Sequence, residues 1–360
     1  MGADMFTTLT VSGKVTADLP LLKFGMIGFG SNARQQIIDA VRVMPQSTVI
    51  WRDSAFSSAD CWLVCGEKTR PVPSSAGLQN TTLRVLAGLP TEYARTLTLS
   101  DIDRPLAFSI PLHGNHIASQ LTFDPLSPQD IHGVLTQFQE RMRPTLARFV
   151  LGRELIRRGA GLEEAVYHVM HSGNLLAILD FTAWRMGLSP AVNLEHLENA
   201  VWHKRPTQAR AIPAHFLPTD VEQLRWTYAQ FTTQDVLPAR YKNGLIYFRQ
   251  SPCVPLSWLT DSHLLLLQEL SMQPADLLTL VKRTGLAPEQ LIRDLTSLYF
   301  AASLTTKAGK AAHANSDKAT PNNVNPSKFG ENFSGTSDSS MSANERKFPN
   351  HAETVPAQLR

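Results

Sequence analysis

Charge is scarce in this chain. Of 360 residues, 18% are Asp, Glu, Lys or Arg, against roughly 25% in a typical soluble domain. The formal net charge is only +3 and the pI about 8.8, so the balance demands neither nucleic acid nor an acidic membrane as partner. Long apolar runs are missing too. No stretch of about 18 apolar residues occurs, so no membrane insertion is expected. Residues 1–20 lack a positive start followed by an apolar block, which gives no secretory signal. Position 6 is Phe6 rather than a small hydroxyl residue, which removes an N-terminal lipidation signal. Cysteine is limited to Cys61, Cys65 and Cys253. An odd, low count excludes a disulfide scaffold and fits a reducing compartment, so a cytoplasmic protein is expected. Catalytic signatures are lacking as well: there is no G-x-S-x-G elbow, and no cysteine has a histidine close by in sequence.

What is present is a 43% hydrophobic chain, long enough for two or three domains, each with its own core. Residues 21–158 alternate between strand and helix patterns. Short apolar runs at 23–28, 48–51 and 61–65 read as strands, as do the alternating stretches at 83–87 and 106–110. Residues 32–44 place Ala33, Ile37, Ile38, Val41 and Met44 at helical spacing, with Pro45 as a stop. Ser127 as N-cap, Pro128 at the first helical position and Asp130 in the first turn open the strongest helix. Its stripe is Ile131, Val134, Leu135, Phe138 and Met142, and Pro144 should kink or split it. This alternation predicts an α/β domain with a mostly parallel sheet.

Residues 159–258 read as a mixed α+β region. A hairpin turn is expected at Ser172-Gly173-Asn174, a helix over 193–202, a capping box at Thr219-Asp220-Val221-Glu222 and a strand over 245–248. Residues 259–304 read as three short helices over 262–270, 275–283 and 288–302, with Gly285 as a C-terminal cap. From 305 to 360 the chain is rich in Ser, Asn, Lys, Ala and Pro, with Phe329, Phe333 and Phe348 isolated. That composition predicts a disordered tail.

Two resemblances follow. The stretch 277–295, a short helix, a turn at Thr284-Gly285 and a helix opened by Pro288, resembles the helix-turn-helix core of a winged-helix domain. The five strands and long final helix of the first domain loosely resemble the receiver domain of bacterial response regulators. That resemblance implies an acidic pair after the first strand and a phosphoacceptor aspartate after the third. Here Gly28-Phe29-Gly30-Ser31 and Cys65-Gly66-Glu67 occupy those places. A receiver-like domain of this kind is degenerate and serves as a protein-binding platform.

Four groups of residues are candidate sites. Gly28-Phe29-Gly30-Ser31-Asn32-Ala33 matches G-x-G-x-x-A between a strand and a helix. Such a turn lets backbone approach a pyrophosphate, and Asp53 at the end of the next strand stands where a ribose would be held. Against it, only seven residues separate Asp53 from Asp60, too few for a connecting helix, and a plain strand-to-helix turn is the competing reading. Second, Arg141, Arg143, Arg148, Arg153, Arg157 and Arg158 face only Glu140 and Glu154. The sharpest part, Arg153, Arg157 and Arg158, would suit an anionic partner, and the alternative is a solvated helix face next to an apolar one. Third, the helix-turn-helix unit over 261–304 has three basic residues, Lys282, Arg283 and Arg293, against five acidic ones. DNA binding depends on basic phosphate contacts, so protein contact is the better expectation there. Fourth, Cys61 and Cys65 on one strand would lie about 13 Å apart, too far for one metal ion. The pairs His113/His116 and His168/His171 have no supporting ligands, so no metal, cofactor or catalytic set is expected.

The sequence therefore predicts a bacterial-type, non-enzymatic regulatory or adaptor protein working through a protein partner, with a small anionic ligand at the Gly28–Asn32 turn as an option. The alternatives are a nucleotide-binding enzyme using Gly28, Gly30 and Asp53, and a DNA-binding regulator.

Overall fold

The computed structural model describes residues 18–45, 48–72, 82–98, 102–112 and 121–312. The expected tail beyond 312, the first 17 residues, and His113 and His116 lie outside them. The chain divides into two compact units. One holds the residues up to Met142 together with Phe231–Gln234; the other holds Arg143–Gln230 and the chain from Asp235 onward.

The first unit is built on a parallel sheet. Strand β1 (Leu21–Ile27) is buried along nearly its whole length, as a central parallel strand covered on both faces must be. Helix α1 (Ser31–Val43) leads to β2 (Ile50–Ser54), and a single 3-10 turn at Phe56–Ser58 leads on to β3 (Cys61–Val64). Strands β2 and β3 flank β1 on opposite sides, both parallel to it. The crossover is short because it lies directly on Gly25. A Cβ there would stand 2.8 Å from the Ala59 Cβ and 3.0 Å from the Phe56 Cα.

After β3 comes an antiparallel meander of β4 (Thr69–Val72), β5 (Thr82–Val85) and β6 (Arg95–Thr98). The strand expected at 83–87 is thus not part of the parallel sheet. Its alternation was the sign: Leu83 and Val85 are buried while Arg84 is exposed, the pattern of a sheet covered on one face. The parallel sheet continues through β7 (Leu106–Phe108) and β8 (Leu121–Thr122), giving the order β2-β1-β3-β7-β8. Helix α2 (Pro128–Arg141) closes the unit. Ser127 caps it by accepting from the Asp130 N–H, and Ile131, Val134, Leu135 and Phe138 are its buried stripe. It packs on α1, where the His132 ring nitrogen meets the Ala40 carbonyl at 2.8 Å.

The second unit opens with α3 (Arg143–Arg158). Pro144 therefore splits the helical stretch at Met142 rather than kinking it. Next is an antiparallel sheet of β9 (Val166–His171), β10 (Asn174–Asp180) and β11 (Arg185–Leu188). Short helix α4 (Leu194–Glu198), β12 (Val201–Arg205) and β13 (Leu217–Thr219) complete it, in the order β12-β9-β10-β11-β13. The hairpin expected at Ser172-Gly173 is there, with both φ angles positive, +48° and +80°, the combination a tight two-residue turn requires. The helix expected over 193–202 stops at Glu198, and Val201 and Trp202 instead pair with Met170 and Val169.

The rest of the unit is helical: α5 (Val221–Phe231), α6 (Ala239–Asn243), β14 (Tyr247–Phe248), α7 (Asp261–Met272), α8 (Leu277–Thr284), α9 (Pro288–Phe300) and β15 (Leu304–Thr305). Asp220, not Thr219, caps α5, accepting from the Gln223 N–H at 2.8 Å. Gly285 ends α8 at φ +67°. Described structure continues past the expected limit of 305: β15 pairs antiparallel with β14 and a 3-10 turn follows at Ala308–Lys310. Of the strand expected over 245–248, only Tyr247 and Phe248 pair in this way. Ile246 bridges instead to Ala275, between α7 and α8.

Candidate functional site

In an open parallel sheet, ligands bind beyond the carboxyl ends of the strands, where the strand order switches direction. Here that place is the end of β1 against the end of β3. It is filled by the chain itself. Ile27, Val64 and Phe108 are the last residues of β1, β3 and β7, and they form one buried cluster with Leu83, Val85 and Leu97 of the meander. The meander therefore caps the strand ends.

The glycine turn lies under this cap. Gly28 has φ +83°, and a Cβ on it would stand 3.0 Å from the Cys65 Cβ and 3.2 Å from the Val85 Cγ1. Gly88 is pressed against the turn from above: a Cβ on Gly88 would fall 2.2 Å from the Phe29 carbonyl oxygen. Phe29 is buried and its ring sits 6.2 Å from that of Phe123. The polar backbone at this end is satisfied internally. Arg34 donates to the Met26 carbonyl at 2.6 Å and pairs with Glu92, which accepts from the Gly88 N–H at 3.1 Å. The Cys65 N–H donates to the Ile27 carbonyl at 3.0 Å, and the Gly66 N–H to Ser109 Oγ at 2.9 Å.

What remains exposed is the start of α1: Gly30, Ser31 and Asn32. No side chain caps this helix. Asp53 is also exposed, but the structure does not bring it to the turn. Its neighbour across the sheet is Phe24, four residues before Gly28, or about 13 Å back along the strand. Among the described residues, the glycines of this turn are covered by the meander and Gly88, and Asp53 is not level with them.

The arginine stretch belongs to the second unit. Helix α3 buries Leu146, Ala147, Phe149, Val150, Leu151, Gly152, Glu154 and Leu155, and the basic side chains gather on Glu154. Arg157 donates to it at 2.5 Å, Arg158 lies 3.6 Å from it and Arg153 3.9 Å. Arg153 also pairs with Glu198 at 3.1 Å, and Arg158 stacks over the Trp202 ring at 4.8 Å. Arg148 lies over Trp258 at 5.7 Å, and burial pulls its pKa down against the attraction of Asp220. The charge that stood out in the sequence is largely engaged in the fold.

The helix opened by Pro288 is equally engaged. In α9 every residue from Asp294 to Phe300 is buried, so beyond its first two turns it has no face to offer a DNA groove. It forms part of a polar network that sequence reasoning missed. His263 on α7 and Asp294 on α9 are both buried, with the His263 Nε2 3.4 Å from Asp294 Oδ1. His263 Nδ1 accepts from the Thr260 N–H at 3.2 Å. Asp294 Oδ1 accepts from Gln290 at 2.8 Å, while its Oδ2 has no partner. Burial lowers the His263 pKa, and Asp294 opposes that shift.

The remaining candidates are dispersed. Cys61 and Cys65 are buried in the core, and burial, aided by Asp60, pushes the Cys61 thiol well above its usual range against the pull of Arg104. His168 meets the Ala209 carbonyl at 2.8 Å, whereas His171 stacks on His196 at 4.6 Å. Among the described residues no group of three or more His, Cys, Asp or Glu could hold a metal ion, and no helix is long and apolar enough to cross a membrane. Comparison with models of protein families, with curated proteins and with solved structures gives no match.

Proposed function

We propose that this chain is a regulatory or adaptor protein that works through contact with a protein partner. The observation that carries this reading is the meander over the ends of β1, β3 and β7: the place where a parallel sheet binds its substrate or cofactor is taken by Leu83, Val85 and Leu97. The first unit then acts as a receiver-like platform without phosphoacceptor chemistry, since exposed Glu67 follows β3 where an acceptor aspartate would stand. The helical part of the second unit acts as a winged-helix-like contact surface. Its exposed apolar residues support this. Leu264 and Met272 of α7 are 50% and 71% exposed and Leu278 of α8 is 72% exposed, on helices that carry few basic residues.

Site-specific photo-crosslinking tests the reading. A photoreactive residue at 264 or 278 is expected to capture one discrete partner, and Leu278→Asp to abolish capture from position 264. Crosslinks that are indifferent to position, together with measurable turnover of any substrate, would sink it. The open start of α1 at Gly30, Ser31 and Asn32 favours one alternative, a nucleotide held there. Calorimetry with common nucleotides decides it, and binding weaker than about millimolar, roughly −4 kcal/mol, removes it.

A further inference from the structure

The five-stranded sheet of the second unit ends on β12. Among the described residues, the β12 backbone pairs with β9 alone. In an antiparallel pair, alternate residues exchange N–H···O=C bonds with the neighbouring strand, and the residues between them turn both groups outward. The register runs without a break from Val201 opposite Met170 to Arg205 opposite Val166, so β12 offers a regular outer row of donors and acceptors. Val201, His203, Lys204 and Arg205 are exposed. Trp202 is half-buried, beneath the Arg158 guanidinium and 6.3 Å from the Tyr167 ring.

An open edge accepts another strand, and folds blunt such edges with proline, shortness or charge. Edge strands β4 and β13 carry Pro71 and Pro218, and edge strand β8 has two residues. Strand β12 has five residues and no proline. What guards it is charge of one sign. Residues 199–219 contain Lys204, Arg205 and Arg210 and no Asp or Glu. Lys204 pairs with Glu163, which lies outside this stretch. Among the described residues Arg205 has no carboxylate partner; its guanidinium meets the Met170 sulfur at 4.0 Å. Neighbouring strands lie about 4.8 Å apart. A second copy of β12 would therefore set cations beside cations, whereas a strand bearing carboxylates would meet opposite charge. The outward N–H and C=O groups also alternate, and a peptide backbone is the chain that answers that alternation.

We infer that β12 is a docking edge for an extended, acidic segment of a protein partner, which adds to the sheet as a sixth strand. This rests on the reading that the chain works through a protein partner, and it adds a contact distinct from the exposed apolar residues of α7 and α8.

Calorimetry with a blocked peptide of alternating glutamate and valine, and with its lysine-and-valine counterpart, tests the edge. The acidic peptide is expected to bind with Kd below about 1 mM, more weakly as salt is raised, and the basic peptide not to bind. N-methylation of every second amide removes the donors of one frame, so the two frames are expected to differ about tenfold or more in affinity. Arg205→Glu should weaken the acidic peptide about tenfold or more and admit the basic one, a reversal that an unfolded variant would not give. Equal affinity for the two charges or the two frames overturns the proposal. So does binding of single-stranded RNA in place of the peptide, or a dimer of the chain that Arg205→Glu abolishes. Capture from position 264 is read separately, so failure of this edge and failure of the partner reading are distinguishable.

Discussion

Two glycines in helices show how much one missing methyl group can mean. Gly133 in α2 is exposed, and a Cβ there would touch nothing within 4 Å. Gly133→Ala should therefore stabilise the protein by about 0.5–1 kcal/mol, the cost of glycine in a helix interior. Gly152 in α3 is the opposite case: its Cβ would fall 2.2 Å from the Leu224 carbonyl oxygen and 3.0 Å from the Tyr228 Cβ. Gly152→Ala should cost about 1–3 kcal/mol through overpacking. Urea midpoints of the two variants, with opposite signs, check both. Two residues away, Glu154 anchors three arginines. Glu154→Ala should cost about 1–3 kcal/mol, below the value for a fully enclosed pair, because Arg157 is 66% exposed and its share is screened. The sign of the pH effect at His263 follows from its lowered pKa. Above about pH 6.5, the ordinary histidine value, the ring is neutral folded and unfolded, and its contribution is fully present. As pH falls below that value the unfolded chain takes up the proton before the native one, so stability is lost towards the lower folded pKa. The Tm should drop between pH 7.5 and 5.5, and His263→Gln should flatten that drop.

Among the elements, those with strong local signals were legible in the sequence. The Ser127 cap of α2, the Ser172-Gly173 hairpin and the Gly285 end of α8 are each written in residues whose chemistry needs no distant partner. Elements decided by distant partners were not. Residues 201 and 202 continue a helical-looking stretch, yet β9 takes them as a strand. Residues 83–85 alternate as a strand should, but nothing local tells that their partners are β4 and β6. The apolar side of α3 was visible in Leu146, Phe149, Val150 and Leu155, but local spacing cannot show that Glu154 gathers the arginines. The candidate site was the least legible part. The glycine spacing at Gly28 and Gly30 was visible, while the segment that covers it, around Gly88, lies some sixty residues on and carries no motif. His263 and Asp294 are brought near one another only by the packing of α7 against α9. At α5, within the stretch read as a capping box, Asp220 is the residue that accepts from the Gln223 N–H. Asp220→Ala should destabilise by about 1 kcal/mol, measured by thermal unfolding.

At the scale of the molecule, charge separates the proposed readings. Arg153, Arg157 and Arg158 are held by Glu154 and Glu198, and α9 is buried from Asp294 onward. No duplex retardation should therefore appear in a mobility-shift assay at low salt, where electrostatic affinity is greatest; a shift there that fades with salt would favour the DNA-binding alternative. The parallel sheet of the first unit was visible as a class, from apolar runs such as 23–28. One feature of the second unit bears on how such a chain can change over generations. The strand before α7 and the strand after α9 are hydrogen-bonded neighbours, Tyr247 beside Thr305. The three helices between them enter and leave at one doorway. A segment with adjoining ends can be lengthened or exchanged without re-threading its surroundings.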